Sequence, residues 1–344
     1  MNIADLLRSS LFCSTENGLS MMHPGLPAGW AGLVGIAVAL LSIRVLATAH
    51  APIVNFRFRW VPGNRWDLIL RSVSALSPLL LQILKFALVV IFLLIVVAGL
   101  FGTPIPQRNL ATVLTWNVWW AGLILTIFFA GSLWCAVCPW NTLAGWLVRR
   151  GRAGNATPNN SLNLKVPRIL RNLWPALGLL IGLTWLELGT GLTRNPRTTA
   201  ILALFMVAIA TLSLAIFERR AFCRYFCPVG RTVGFYSQLA PVELRPVDAE
   251  ICARCDTLAC YHGTDQVEPC PTHLVMGRLT ENTYCTSCSN CVRGCPSKNV
   301  SWRLRPPSIE IIKKARPHWD EAWFMLCLLA LTGFHGLTMV PLWE

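Results

Sequence analysis

The sequence predicts an all-α polytopic membrane protein of about six transmembrane helices, with a small cysteine-rich α+β domain inserted before the last of them. Three observations predict it. Hydrophobic residues make up 54% of the 344-residue chain and charged residues only 13%, for a mean hydropathy of +0.52, above the composition of soluble domains. Those hydrophobic residues fall in blocks of about 20, the length a helix needs to cross the hydrocarbon layer. The polar remainder gathers eight of the 14 cysteines between Cys252 and Cys295.

In chain order, residues 1–27 hold one basic residue, Arg8, and no long apolar core, so they read as a short extracytoplasmic lead-in and not as a cleavable signal peptide. The predicted spans are Gly29–Ala49, Leu79–Phe101, Val113–Trp134, Leu173–Gly189, Thr199–Phe217 and Ala322–Leu342. Arginines and lysines alternate with them. Arg57, Arg59, Arg65 and Arg71 fill one loop, Arg149, Arg150, Arg152, Lys165, Arg168 and Arg171 another, and the region after Phe217 is basic throughout, whereas the intervening loops hold only Arg108, Arg194 and Arg197. The positive-inside rule then puts both termini outside and the cysteine-rich domain in the cytoplasm of a bacterial-type inner membrane. The net charge of +14 is thereby assigned to lipid headgroups and orientation, not to nucleic acid. Arg44 and Lys85 lie near the inner ends of spans and snorkel. Glu187 reads as an interfacial carboxylate, with a proton-accepting role at a quinol site as the sharper alternative.

The cysteine-rich domain reads Cys252-x2-Cys255-x4-Cys260-x9-Cys270-Pro271, then Cys285-x2-Cys288-x2-Cys291-x3-Cys295-Pro296. The second run has the bacterial ferredoxin spacing for a [4Fe–4S] cluster, in which the cysteine before the proline ligates the other cluster of a pair. Applied here, Cys252, Cys255, Cys260 and Cys295 hold one cluster, and Cys285, Cys288, Cys291 and Cys270 the other. A pair of zinc sites would use CxxC pairs but has no role for a third cysteine at x2 followed by a fourth at x3 and a proline. The first run is looser, with a loop that includes Tyr261 and His262. His262 and His273 lie between the cysteines and read as loop residues.

Two further pairs stand where predicted spans end: Cys135-x2-Cys138-Pro139 after the third and Cys223-x3-Cys227-Pro228 after the fifth. They form a weak internal repeat at the cytoplasmic face. The four cysteines are read either as an additional metal centre or as a dithiol redox pair; the residues alone leave both open. Cys13 and Cys327 read as free thiols. His50 and His335 would serve a haem only if they shared a depth in the membrane, and the span boundaries place them at different depths.

At Phe222-Cys223-Arg224-Tyr225-Phe226-Cys227-Pro228 and Cys285–Pro296 the chain resembles the membrane polyferredoxin family typified by NapH, the membrane part of NosR and the CcoG/RdxA-type proteins. The resemblance covers about residues 113–307, and the six spans are closer to the NosR membrane core than to the four-span NapH layout. The Cys135–Cys138 motif is one residue shorter than the family pattern. The resemblance implies quinol-linked or ferredoxin-like electron transfer in support of a respiratory or metalloenzyme-maturation system.

The domain organisation expected is 1–27 extracytoplasmic, 28–240 membrane domain with five helices, 241–307 cytoplasmic 2[4Fe–4S] domain, and 308–344 linker and last helix. The function expected is electron transfer between a quinone pool or soluble donor and a redox partner protein or metalloenzyme client. A maturation factor that reduces a metal or cofactor is the alternative, and a redox-sensing regulator is disfavoured because no signalling domain is evident.

Overall fold

The computed structural model of the chain describes residues 36, 40, 65–148, 161–314 and 318–338, with side chains described except at 65–78, 188, 313–314 and 335–338. The predicted span Gly29–Ala49 lies outside the described residues, apart from Ile36 and Leu40, which are helical and exposed. His50, Arg44 and Cys13 also lie outside them, as does the side chain of His335. The chain divides into two units, Met1–Val61 with Leu328–Glu344, and Pro62–Cys327. All contacts described below belong to the second.

That unit is mostly helical. Helix α1 (Arg65–Phe101) is 37 residues long, and α2 (Leu110–Ala130) contains a π-helical stretch, Val113–Trp119. They are followed by α3 (Leu133–Val137), α4 (Pro139–Val148), α5 (Trp174–Thr190) and α6 (Pro196–Ile216), then by a π turn at Phe222–Phe226 and α7 (Pro228–Tyr236). Among the described residues three stretches are long and apolar enough to cross a membrane: Leu79–Phe101 of α1, α2 and α6. The apolar part of α5, Trp174–Glu187, is shorter.

Capping explains where several helices start and stop. The Asn195 side chain accepts from the Arg197 and Thr198 amides ahead of Pro196, which stands in the first turn of α6. At the other end of α5, Gly191 takes the left-handed conformation (φ 59°) that closes a helix. α6 packs against both α1 and α4. Its crossing with α1 is close enough that a Cβ at Gly99 would meet Ala200 Cβ at 2.6 Å, so a glycine lets the two backbones approach as small residues do between membrane helices. Met206, Ala210 and Leu214 of α6 form a core with Ala144, Val148, Phe222 and Cys227. The opposite faces expose large apolar side chains: Phe86 is 62% exposed, Phe129 71% and Leu212 61%. Such faces suit hydrocarbon and not water.

Beyond α7 the chain forms a small module. Strand β1 (Val242–Pro246) pairs antiparallel with β2 (Val300–Leu304) in a two-stranded sheet, with Leu244 opposite Trp302. Between them lie α8 (Ala249–Ala253), α9 (Ala259–His262) and α10 (Asn290–Gly294). After β2 come α11 (Ile309–Lys314) and α12 (Trp319–Thr338). An ionic cluster closes the sheet against the membrane unit: Glu243 accepts from Arg245 Nε and Arg305 Nη1, both at 3.0 Å, while Arg305 also donates to the carbonyls of Ala240 (2.9 Å) and Ser237 (2.7 Å). Burial alone would raise the Glu243 carboxyl, but Arg245, Arg303 and Arg305 outweigh it and hold it down at about 2.

Candidate metal centres

The two cysteine runs use the same local devices. Asp248 caps α8, accepting from the Glu250 amide at 2.8 Å, and α8 presents Cys252; α9 presents Cys260 and α10 presents Cys291. Leu258 and Ser289, each two residues before a cysteine of a short helix, have positive φ (43° and 61°), and so do His273 and Lys298 (58° and 49°), each three residues after a cysteine that precedes proline. One residue further on, the Leu274 amide donates to Cys270 Sγ and the Asn299 amide to Cys295 Sγ, both at 3.3 Å. Left-handed residues in a turn direct consecutive N–H groups into one concavity, the arrangement that receives anionic sulfur or phosphate.

The runs cross. Cys270 of the first lines a recess with Cys285, Cys288 and Cys291 of the second, joined by Leu244, Leu274 and Met276. The recess has about 330 Å³ of empty space, part of it open to solvent. Ser289 lines it as well, and its buried hydroxyl has no partner, so it is a donor suited to a sulfur of a bound group. Conversely Asn299 joins Cys252 of the first run to Cys295 of the second: its Nδ2 donates to Cys252 Sγ at 3.4 Å while its amide serves Cys295. Cys255 is within electrostatic reach of Cys252 and Cys260. Cys260 in turn faces Cys270 and Cys291, so the two sets adjoin.

Burial pushes the Cys285 thiol up to about 12, against a backbone hydrogen bond from Ser287, whereas at the surface the Thr257 hydroxyl and the Leu258 amide lower Cys255. Buried thiols of this kind release protons when a metal is loaded. Among the described residues no three His, Cys, Asp or Glu side chains are grouped to hold a single metal ion. His262 stacks edge-on with Tyr261, and His273 stands 4.0 Å from Glu218. Burial, with Arg219, Arg224 and Arg171 around it, holds His273 down at about 4, so it is neutral at pH 7.

The second group of cysteines sits where α3 meets α4 and where the π turn meets α7. Both helices begin alike. Cys138 and Cys227 are extended (ψ 124° and 110°), as a residue before proline must be, and Pro139 and Pro228 then open α4 and α7. The Gly230 amide donates to Cys227 Sγ at 3.2 Å. The Trp140 and Asn141 amides do the same for Cys138. Each sulfur thus caps a helix N-terminus, where the dipole favours a thiolate. Cys135 lies within electrostatic reach of Cys227, Cys138 and Cys223, so the four converge. Cys223 also faces Cys288 of the module.

The module is fastened to the helix ends. A buried hydrogen bond of 2.9 Å joins the Ser132 and Ser287 hydroxyls, Arg219 donates to the Cys270 carbonyl at 3.0 Å, the Arg220 amide to the Pro271 carbonyl at 3.3 Å, and Arg224 to the Thr272 carbonyl. Sequence reasoning missed Asn299, Ser289 and Ser132. Only Asn299 carried a signal, since it stands four residues after Cys295 as Leu274 does after Cys270.

Cross-paired cysteine sets lined with inward N–H groups, on a helical body with lipid-compatible faces, define a ferredoxin-type iron–sulfur protein. A protein-family model described as Fer4_5, a 4Fe-4S binding domain, matches residues 112–155 and 199–240. Those segments carry Cys135 and Cys138, and Cys223 and Cys227; residues 252–296 lie outside the match. The chain is 30% identical over 145 residues to "Putative electron transport protein YccM" of Escherichia coli (strain K12). The similarity takes in 41% of this chain and 37% of that protein, so the chain covers well under half of the relative's length. No solved structure matches.

Proposed function

We propose that the chain is an integral membrane electron-transfer protein, with six spans, both termini outside and the 241–307 module on the cytoplasmic side of a bacterial inner membrane. Cys252, Cys255, Cys260 and Cys295 hold one [4Fe–4S] cluster and Cys285, Cys288, Cys291 and Cys270 a second. A cluster of this type supplies one-electron chemistry at a potential tuned by hydrogen bonds to its sulfurs and by burial. The chain's own contribution is the tuning: Asn299 and the Leu274 amide donate to ligand sulfurs, and Leu244, Leu274 and Met276 give the second set an apolar lining. The quinone pool or a soluble donor stands on one side of the exchange and a respiratory or metalloenzyme partner on the other.

The observation that carries this reading is the crossing of the runs, with Cys270 in the recess of Cys285, Cys288 and Cys291 and Asn299 between Cys252 and Cys295. The four cysteines at the ends of α3 and the π turn form a further metal centre, a reading supported by their convergence and by the family match to the segments that carry them. Protein purified anaerobically should hold about eight irons and eight labile sulfides for the two clusters of the module, and more if the third set is loaded. Cys270→Ser should abolish the same EPR signal as Cys288→Ser, and Cys295→Ser the same signal as Cys255→Ser. Losses that follow the linear runs would sink the assignment, and clusters that no quinol analogue reduces would move the reading to a maturation factor.

A further inference from the structure

Arg231 has no role in the reading so far. It stands in the first turn of α7, is 2% exposed and is, among the described residues, the bulkiest of the fully buried side chains. Its Nη1 reaches the Thr283 carbonyl at 3.4 Å, and its guanidinium lies 4.5 Å from the centre of the Tyr284 ring. Nε has no hydrogen-bond partner, and no carboxylate forms an ion pair with it among the described residues. The titratable groups within its electrostatic reach include Tyr284, Cys135, Cys227 and Cys223. An isolated buried cation is costly and persists only with an anion beside it. Four neutral thiols provide none. Four thiolates around an iron–sulfur core leave a net negative charge, and two helix N-termini, those of α4 and α7, already point their amides at the same place.

We infer that Arg231 is the buried counter-charge of an iron–sulfur centre held by Cys135, Cys138, Cys223 and Cys227, and that its charge sets that centre's reduction potential. The inference rests on the reading of those four cysteines as a metal centre. Arg231 acts through electrostatics: reduction adds an electron to an already anionic group, and a fixed positive charge in a dry site favours the reduced form. Its position between Cys227 and Thr283–Tyr284 also puts it beside the Cys285 set, so the charge lies where the two sites adjoin.

Iron content and an EPR-monitored redox titration test this on the full-length protein in detergent. Cys223→Ser with Cys227→Ser should remove iron and one set of signals; an unchanged iron count would refute the metal-centre reading itself, independently of Arg231. If that reading holds, Arg231→Met and Arg231→Gln should retain the centre but make it at least tenfold harder to reduce at fixed potential, a downward shift of at least 59 mV for a one-electron couple, while the module's two potentials stay in place. Arg231→Lys should restore most of the shift. A loaded Met or Gln variant with an unmoved potential overturns the inference. If the uncharged variants instead lose the third centre's iron, retention in Arg231→Lys supports the role of charge, and equal loss in Arg231→Lys shows a packing role and overturns it.

Discussion

Asn299→Ala removes three side-chain hydrogen bonds at one stroke. In the intact protein Nδ2 donates to Cys252 Sγ at 3.4 Å and to the Asp248 carbonyl at 2.6 Å, and Oδ1 accepts from the Asp248 amide at 2.9 Å. Asn299 is 4% exposed, so water does not replace what is lost. Each ordinary bond contributes about 1 kcal/mol and each stranded partner costs about 1–3 kcal/mol, so the module should lose about 2–4 kcal/mol. The bond to sulfur strengthens as the cluster gains an electron. If about 1 kcal/mol of it is specific to the reduced state, the potential falls by about 40 mV, because a tenfold change is 59 mV for one electron. Asn299→Asp should lower it further by adding a negative charge. The assay is a redox titration followed by EPR on anaerobically purified protein. A potential that does not move, or a shift in the signal that Cys288→Ser abolishes in place of the one that Cys255→Ser abolishes, would refute the reasoning.

Three other outcomes are expected. Gly277→Ala puts a Cβ 2.8 Å from Cys252 Cβ, an overpacking of about 1–3 kcal/mol that should lower iron occupancy at the Cys252 set while leaving the Cys288 signal intact. Ser132→Ala strands the Ser287 hydroxyl and should cost about 1–3 kcal/mol, with much of that recovered in the Ser132→Ala, Ser287→Ala double variant by thermal denaturation. Glu243→Gln should cost about 3–5 kcal/mol at pH 7, since it removes one of the two carboxylates, Glu243 and Glu310, that pair with buried Arg245 and Arg305. Because the folded carboxyl is held at about 2, below its ordinary 4.5, that stabilisation is complete above about pH 4.5 and is lost as pH falls toward 2. The gap between parent and variant melting points should therefore narrow below pH 4.5, and a gap that widens on acidification would contradict the sign.

Much of the helical framework was legible because hydrocarbon imposes a long apolar pattern: Leu79–Phe101 of α1 is apolar but for Gln82 and Lys85 near its start, and α6 lies within three residues of the predicted span. α5 lies within one residue of its predicted span, whereas the ends of α2 were blurred by tryptophans that suit either lipid headgroups or hydrocarbon. The cysteine runs stand out in the sequence by their spacing, and the structure brings Cys270 beside Cys285, Cys288 and Cys291. What spacing could not convey is everything that depends on contact between distant segments. Arg231 reads in the sequence as one basic residue of a loop-facing stretch, and nothing local says that Thr283 and Tyr284 close over it. Ser132 and Ser287 are 155 residues apart, and a serine carries no pattern that announces a partner. The expected α+β module shows two strands among its described residues, one on each side of the cysteines.

The fastening of the module has a consequence for how such a chain can change. Four of its acceptors are main-chain carbonyls, those of Cys270, Pro271, Thr272 and Thr283, which every amino acid supplies, while three of the donors are the side chains of Arg219, Arg224 and Arg231. The arginines that tally as orientation charge are therefore also rivets. These four carbonyls survive a change of side chain at their own positions, whereas stripping the arginines from the helix ends would take away the donors that fasten the module.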